Sequence, residues 1–223
     1  GDHRDLHSFP TRRSSDLNKN LDLTIEKYIS VDFAAMTDAV DLLGGIDIDV
    51  DETEIDHLNN YMVETSKVTG VASKPLTHTG LQTLDGVQAT SYCRIRYTAG
   101  DDFKRTERQR EVIQELVRKA KTMEISKIND IINAVFPKIA TNYSNKELLE
   151  MAPQMIGYDI ADTAGFPFDR ETGTISGRGS CVIPVNLAEN VRQLHEFLYE
   201  NYDYTPSSEV QKISEQITAD TGY

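Results

Sequence analysis

Regular patterns of apolar and polar residues predict a strand, a helix and a second strand early in the chain. The segment Ile46–Val50 reads IDIDV, and this alternation predicts a strand with one buried face. Thr24–Val31 alternates in a similar way and predicts an earlier strand. Asp32 can cap the helix between them, and Gly44 can end it, because glycine accepts a left-handed backbone. The apolar stripe of this helix consists of Phe33, Met36, Val40 and Leu43.

Helical spacing dominates the rest of the chain. Arg105–Lys121 is the clearest helix, because apolar residues recur along one of its faces. Val68–Gly80 and Tyr97–Lys104 are predicted loops, and Gly173–Val185 is predicted to contain a strand. Further helices are predicted at Asp51–Lys67, Leu84–Tyr92, Ile125–Ala140, Asn145–Met155, Asn186–Tyr202 and Ser207–Thr218.

The order of these elements indicates the fold class. A strand, a helix and a strand joined by short links are typical of α/β layer structures. Gly44 and Gly45 do not form a phosphate-binding loop, because such a loop follows a strand and opens a helix, whereas these glycines follow a helix. The sequence therefore predicts an α/β domain in which helices pack on a sheet.

Composition describes a folded, acidic domain. Hydrophobic residues make up 39% of the 223 residues and charged residues 26%, which is typical of a globular protein. The formal net charge of −13 argues against DNA or RNA as a general partner, because binding a phosphate backbone needs a basic face. No apolar run approaches the ~20 residues that span a bilayer. Two cysteines are too few for a disulfide framework or a zinc site.

Basic residues nevertheless concentrate in one segment. Tyr92–Arg110 reads YCRIRYTAGDDFKRTERQR and holds six of the 23 lysines and arginines. Arg94 and Arg96 would point the same way in an extended segment, and Arg105 and Arg108 would share a helix face. Arginine presents a rigid, charged fork that suits phosphate oxygens. The segment therefore predicts either an anion site or a surface of ordinary ion pairs with its acidic neighbours.

The start of the predicted helix favours the anion site. Helix N-termini prefer acidic side chains, yet Arg105, Arg108 and Arg110 crowd the start of this one. A bound phosphate would remove the conflict, because helix N-termini bind anions.

Three segments, in order, resemble the LytR-CpsA-Psr family: GGIDIDV at Gly44–Val50, LDGVQATSYCRIRY at Leu84–Tyr97 and DDFKRTERQR at Asp101–Arg110. The resemblance runs from about Leu21 to the C-terminal end. It implies an α-β-α sandwich, a mixed sheet with helices on both faces. It also implies a cell-surface phosphotransferase of cell-wall assembly, which moves a glycopolymer such as teichoic acid or capsular polysaccharide from an undecaprenyl pyrophosphate carrier onto peptidoglycan.

The resemblance assigns roles to the basic segment. Arg94, Arg96, Arg105 and Arg108 would bind the pyrophosphate, and Asp102 and Arg105 would be catalytic. Asp102 could hold the arginines in place, bind magnesium or act as a base, and its plain alternative is an ion pair with Arg105. The family implies Mg²⁺ as a cofactor. Its ligands would come mainly from a preceding half of the domain, so no metal ligand is assigned.

Residues 1–17 are predicted to be a disordered or non-native leader. They show no helical or strand period, and FPTRRSSDL at Phe9–Leu17 resembles the translation of a sequencing adapter. Residues 18–223 would then be the C-terminal part of one catalytic domain with an incomplete sheet. The resemblance implies a preceding first half and a membrane helix, which would place the intact protein on the extracellular face of the cytoplasmic membrane. This chain alone is expected to bind pyrophosphate weakly, without turnover.

Several alternatives stay open. Cys93 and Cys181 either form a disulfide, as the extracellular location implied by the resemblance permits, or remain free thiols. The apolar faces around Val112 and Leu116, and around Ile128 and Ile132, either line a channel for the polyprenyl tail or form an ordinary core, which is the default. The protein could also be a non-catalytic module that binds glycopolymers or polyanions. A regulatory protein of the transcriptional-attenuator type is disfavoured by the acidic charge.

Overall fold

The computed structural model describes residues 8–96, 101–155 and 157–223. The chain divides into two compact units. The central unit comprises Ile29–Thr163, and the terminal unit comprises the chain up to Tyr28 together with Ala164–Tyr223. Each unit contains its own cluster of buried apolar side chains.

The central unit alternates short strands with helices. In chain order its elements are β1 Ile29–Val31, α2 Phe33–Leu42, β2 Ile46–Val50, α3 Ile55–Thr69, β3 Gly80–Leu84, α4 Gly86–Tyr92, α5 Asp101–Lys121, α6 Ile125–Val135, β4 Ile139–Thr141 and α7 Asn145–Met155. The terminal unit contains α1 Ser8–Leu21, β5 Arg170–Ile175, β6 Gly179–Pro184, α8 Leu187–Tyr199 and α9 Ser208–Thr221.

The mixed α/β class is confirmed, with a different sheet arrangement from the one predicted. Among the described residues the strands form two-stranded antiparallel sheets, β1 with β4, β2 with β3 and β5 with β6. In the β2–β3 sheet Ile46 lies opposite Leu84 and Val50 opposite Gly80. The family resemblance implies one mixed sheet. The residue patterns do not predict β3 and β4, which supply the antiparallel partners of the two predicted strands.

The alternation in β2 sets the core of the central unit. Ile46, Ile48 and Val50 are at most 1% exposed, whereas the aspartates between them lie on the other face. The buried face packs in one cluster with residues from the neighbouring helices and loops, which include Val40, Leu58, Leu84, Val87, Ile95 and Val112. Val112 is therefore a core residue, and Leu116 packs against the same cluster.

Capping interactions fix the helices around this core. The Asp32 side chain accepts a hydrogen bond from the Ala35 backbone N–H at 2.8 Å, which confirms the predicted cap of α2. Asp85 and Gln88 form a reciprocal capping box at the start of α4. Gly86 lies so close to the Thr37 carbonyl that a Cβ atom would overlap it. This contact brings α4, and the basic segment that follows it, close against α2.

Some element boundaries differ from those predicted. α5 begins at Asp101, four residues before the predicted start, while residues 97–100 of the predicted loop lie outside the described part of the chain. α6 ends at Val135 rather than Ala140, because Pro137 cannot continue an α-helix, and a short 3₁₀ turn and β4 follow. Of the predicted strand Thr24–Val31, only β1 forms.

The terminal unit is built around α8 and α9. Its core cluster contains the buried residues Leu21, Leu187, Val191, Leu194 and Val210. Asn190 is fully buried and ties α8 to the β5–β6 hairpin, because its side chain bonds both the N–H and the carbonyl of Asp169. His195 is also buried, stacked on the Tyr204 ring at 3.6 Å. It is thus a packed helix residue, as predicted.

Residues 8–17 differ from the predicted disordered leader, because they belong to α1. The helix ends at Leu21, whose buried side chain joins the core of the terminal unit. Lys19 pairs with Glu209 of α9 at 3.2 Å. Leu17 remains 44% exposed, so the anchoring comes from the last turn of α1, and the non-native origin of the segment stays a prediction.

Candidate functional site

The basic segment folds into a turn followed by a helix. Cys93 is the C-cap of α4, and the Arg94 and Ile95 N–H groups donate to the carbonyls of Ser91 and Tyr92 at 3.0 and 3.3 Å. The backbone is therefore not extended at Arg94, and the predicted alignment of Arg94 with Arg96 does not form. Asp102, Arg105 and Arg108 all lie on α5, within its first eight residues.

Arg96, Asp102 and Arg105 form a shared ion-pair cluster. The Asp102 carboxylate accepts hydrogen bonds from Arg96 Nε at 3.0 Å and Arg96 Nη2 at 3.2 Å. Arg105 Nη1 lies 3.1 Å from the same carboxylate. The side chains of Arg96 and Asp102 are about half exposed, and that of Arg105 is 32% exposed. One carboxylate thus holds two accessible guanidinium groups together, which leaves a net positive charge facing solvent.

Arg94 lies in a separate set of contacts. Its guanidinium donates to Glu64 Oε2 at 2.6 Å and to Thr65 Oγ1 at 3.0 Å. It also lies over the rings of Phe33 and Tyr61, 4.7 and 5.3 Å from their centroids. The structure therefore brings three of the four residues predicted to converge into one cluster, and it packs the fourth against α3.

Arg108 is buried rather than available to a ligand. Its side chain is 5% exposed and its Nε lies 2.7 Å from Glu54 Oε1, a carboxylate that is itself 9% exposed. Arg108 Nη1 also donates to the carbonyl oxygen of Ile95 at 3.2 Å. This differs from the predicted pyrophosphate contact. A guanidinium enclosed by protein partners cannot reach an anion in solvent without leaving its partner charge buried.

The arginines of α5 lie further from its N-terminus than the sequence pattern predicts. Because the helix begins at Asp101, its first turn contains acidic residues, and Arg105 belongs to the second turn. The predicted conflict between arginines and the helix dipole is therefore absent. The anion-binding capacity of this region depends instead on the exposed guanidinium groups of Arg96 and Arg105.

Comparison with known proteins identifies the family of this chain. The model of the LytR_cpsA_psr family matches residues 12–180. The chain belongs to the LytR_cpsA_psr family. Polyisoprenyl-teichoic acid–peptidoglycan teichoic acid transferase TagV of Bacillus subtilis is 28% identical over 196 residues, which cover 84% of this chain and 46% of that protein. Biofilm regulatory protein A of Streptococcus mutans is 32% identical over 145 residues, 63% of this chain and 33% of that protein.

Solved structures share the fold. A transcriptional regulator from Enterococcus faecalis superposes with a TM-score of 0.66 at 17% identity, over 97% of this chain and 75% of that chain. The crystal structure of B. subtilis TagV gives a TM-score of 0.62 at 21% identity, over 86% of this chain and 62% of that chain. The chain spans less than half the length of the two curated relatives described above.

The cysteines of this family member are free thiols, so the disulfide alternative is not found. Burial raises the pKa of the Cys93 thiol to about 12. Cys93 therefore stays protonated at neutral pH and is a poor nucleophile. Cys181 belongs to the other compact unit, in β6, where its thiol lies 3.6 Å from the carbonyl oxygen of Gly179.

The carboxylates of the region offer little to a metal ion by themselves. No group of three or more His, Cys, Asp or Glu side chains within the described residues could hold a metal. Mg²⁺ commonly takes one or two carboxylates together with substrate phosphates, and Asp102 is the exposed carboxylate of the arginine cluster. Asp102 could therefore contribute a carboxylate to such an ion, but the described residues around it form no complete site. None of the described helices is long and apolar enough to span a membrane.

The sequence did not indicate the carboxylate partners of Arg108, which is buried, and of Arg94, which is partly buried. Glu54 lies 54 positions before Arg108, and Glu64 lies 30 positions before Arg94. A signal for Arg108 was nevertheless present. It lies four and eight residues before Val112 and Leu116, on the apolar stripe of α5, and a charged residue on such a stripe needs a buried partner.

Proposed function

We propose that the protein takes part in a phosphotransferase reaction that moves a glycopolymer from an undecaprenyl pyrophosphate carrier to peptidoglycan. The observation that carries this proposal is the exposed Arg96–Asp102–Arg105 cluster in a member of a family whose relatives include named teichoic acid transferases. The substrate, the carrier and the acceptor are inferred from those relatives and from the chemistry of the cluster.

The cluster suits a pyrophosphate because both guanidinium groups are accessible and already oriented. Arginine binds phosphate oxygens through charge-assisted, often bidentate hydrogen bonds. Asp102 holds Arg96 through hydrogen bonds at 3.0 and 3.2 Å and forms an ion pair with Arg105 at 3.1 Å in the free protein. A positioning role for Asp102 follows, since both of its carboxylate oxygens accept hydrogen bonds from arginine.

Group transfer at such a site needs positive charge more than covalent chemistry. An acceptor hydroxyl of peptidoglycan would attack the phosphorus attached to the glycopolymer and would give up its proton to water or to the leaving polyprenyl phosphate. The bond from that phosphorus to the bridging oxygen would break, and the polyprenyl phosphate would leave. Arg96 and Arg105 would stabilise the charge that develops on the phosphate oxygens. Mg²⁺ would add positive charge there, and Asp102 is the one residue of the cluster that could help to hold it.

An apolar cavity on the same helix is suited to part of the lipid carrier. A cavity of about 420 Å³ is lined by Val117, Met151, Gln154, Tyr158, Asp159 and Ile160. Val117 lies twelve residues after Arg105, so the cavity begins roughly 18 Å along α5 from the cluster. Isoprenoid chains are long and flexible enough to span that separation, and the apolar side chains of the cavity provide a suitable surface.

The direct test is calorimetric titration of the purified chain with farnesyl pyrophosphate and Mg²⁺. We expect weak, saturable binding that Arg105→Ala reduces about tenfold, as loss of a charge-assisted contact predicts. Lys104→Ala is the matched control, because Lys104 is an exposed cation at the preceding position of α5 and pairs with Glu107 at 2.8 Å. An equal loss in both variants would indicate non-specific charge attraction and would count against the site.

A binding module would use the same arginines without turnover. A transfer assay distinguishes the phosphotransferase from the binding module. The assay uses the intact protein, a polyprenyl pyrophosphate-linked glycan and a peptidoglycan acceptor. Transfer that Arg105→Ala abolishes supports the phosphotransferase. Binding without transfer in the intact protein supports the module.

A further inference from the structure

Arg108 connects two parts of the central unit that are distant in sequence. Its Nε donates to Glu54 Oε1 at 2.7 Å, immediately before α3, and its Nη1 donates to the Ile95 carbonyl at 3.2 Å. Ile95 lies between Arg94 and Arg96, and its side chain is fully buried. One guanidinium thus contacts the backbone of the turn that carries Arg96.

The same residue is fixed to the helix that carries the rest of the cluster. Arg108 lies one turn after Arg105 and less than two turns after Asp102 on α5. Its neighbour Gln109 donates to the Cys93 carbonyl at 3.3 Å. α5 therefore contacts the turn on both sides of Arg94, at the carbonyls of Cys93 and Ile95.

Glu54 connects the Arg108 side chain to the backbone that follows β2. Its second oxygen accepts a hydrogen bond from the Asp51 N–H at 3.2 Å, directly after the buried strand β2. Arg108 and Glu54 are both buried. The Arg108 guanidinium also lies 5.9 Å from the centroid of the Tyr92 ring. The pair is thus anchored to the core rather than to mobile surface side chains.

We infer that Arg108 and Glu54 are positioning residues for the anion site, acting through the backbone of the Cys93–Arg96 turn. The pair sets the distance between Arg96, on the turn, and Arg105, on α5. This inference rests on the proposed function, because it concerns how the proposed pyrophosphate site is shaped. A shift of about 1 Å in such a site can reduce its effectiveness roughly 100-fold.

The test separates positioning from stability. Replacing a buried ion pair by apolar side chains of similar size often leaves stability unchanged or raises it. The double variant E54M/R108M should therefore fold while losing the hydrogen bond to Ile95. We expect about tenfold weaker binding of farnesyl pyrophosphate in the presence of Mg²⁺ than in the unaltered chain, with a cooperative thermal transition that shows the fold is intact.

Two further variants complete the experiment. R118M makes the same arginine substitution on α5 at an exposed arginine that pairs with Asp47 and Glu115, and it should bind like the unaltered chain. R108K keeps a charge beside Glu54 but lacks the guanidinium fork that contacts two acceptors in a fixed geometry. R108K should bind farnesyl pyrophosphate more weakly than R118M does. If the double variant does not fold, the comparison of R108K with R118M tests the positioning role instead.

The outcomes are distinguishable. Weaker binding in folded E54M/R108M or R108K, with R118M unchanged, supports the positioning role. Unchanged affinity in the folded variants overturns it and leaves the proposed function in place. No measurable binding of farnesyl pyrophosphate by the unaltered chain in the presence of Mg²⁺ contradicts the proposed site and the positioning role together.

Discussion

Arg105 and Arg108 lie one helical turn apart on α5 and both pair with a carboxylate, yet they differ in their exposure and in the exposure of that partner. Arg105 is 32% exposed and meets an exposed partner, Asp102. Arg108 is 5% exposed and meets a buried partner, Glu54. The exposed pair can exchange its partner for an anion at small cost, because water screens the charges. The buried pair cannot, because separation would leave a charge without compensation.

Under the proposed function, this difference separates residues that would bind the anion from residues that would support the site. The Arg96 and Arg105 side chains are accessible, whereas Arg108 is buried and donates to the carbonyl of Ile95, next to Arg96. Arg94 is intermediate, since its side chain is 15% exposed and is enclosed by Glu64, Thr65 and two aromatic rings. Four arginines in one short segment thus have three kinds of environment, and sequence spacing alone does not distinguish them.

The largest expected effect comes from breaking the buried pair on one side. Glu54→Leu leaves the Arg108 charge buried without its carboxylate, so we expect a loss of about 3–5 kcal/mol in the free energy of unfolding. Urea denaturation followed by circular dichroism measures it. Glu150→Leu is the control, because Glu150 belongs to an exposed pair with Lys146 and should change stability by less than about 1 kcal/mol. A small effect of Glu54→Leu would show that Arg108 is solvated.

Arg94→Ala should have an intermediate effect. The substitution removes hydrogen bonds to Glu64 and Thr65 and the contacts with Phe33 and Tyr61. We expect a loss of about 1–2 kcal/mol in the free energy of unfolding, measured by the same denaturation. Arg94→Lys should recover part of this loss. If Arg94→Ala weakens pyrophosphate binding without changing stability, Arg94 belongs with the binding residues instead.

The pH dependence of stability should change in Glu111→Gln. Burial raises the pKa of Glu111 above its ordinary value, although a hydrogen bond from Tyr92 at 2.8 Å opposes the shift. The folded state therefore holds this proton more tightly than the unfolded state, and ionisation of Glu111 lowers stability as the pH rises above the ordinary carboxyl pKa. Glutamine still accepts from Tyr92 without the charge. We expect a modest gain in stability at neutral pH that disappears in acid, and a gain that persists in acid would contradict this cause.

The smallest effect on stability is expected at the exposed cluster. Arg105→Ala should change the free energy of unfolding by less than about 1 kcal/mol, because exposed ion pairs contribute little. The same variant should lose pyrophosphate affinity. A thermal melt beside the calorimetric titration separates the two quantities, and a large drop in melting temperature would show that Arg105 supports the fold rather than the site.

The parts of the fold that depend on local pattern were predictable. The alternation in β2, the Asp32 cap of α2 and the apolar stripe of α5 each follow from neighbouring residues. The strand pairing was not predictable from local pattern, because β1 pairs with β4 and β2 pairs with β3 across long stretches of chain. Pro137, which ends the α6 segment, is a local signal that could have corrected that boundary.

The candidate site was predictable in its residue types but not in its geometry. The family motifs identify Arg94, Arg96, Asp102 and Arg105, and the structure brings Arg96, Asp102 and Arg105 together. The environment of Arg94 depends on α2 and α3, and that of Arg108 on Glu54. Both environments depend on tertiary packing between segments that are far apart in the sequence, so residue spacing does not predict them.

The central claim is that Arg96 and Arg105 bind an anion while Arg108 remains with Glu54. A crystal structure of the chain with inorganic pyrophosphate and Mg²⁺ tests it most directly. The account predicts pyrophosphate oxygens within hydrogen-bonding distance of the Arg96 and Arg105 guanidinium groups, with the Arg108–Glu54 pair intact. Pyrophosphate bound to Arg108, or bound away from both Arg96 and Arg105, would contradict it.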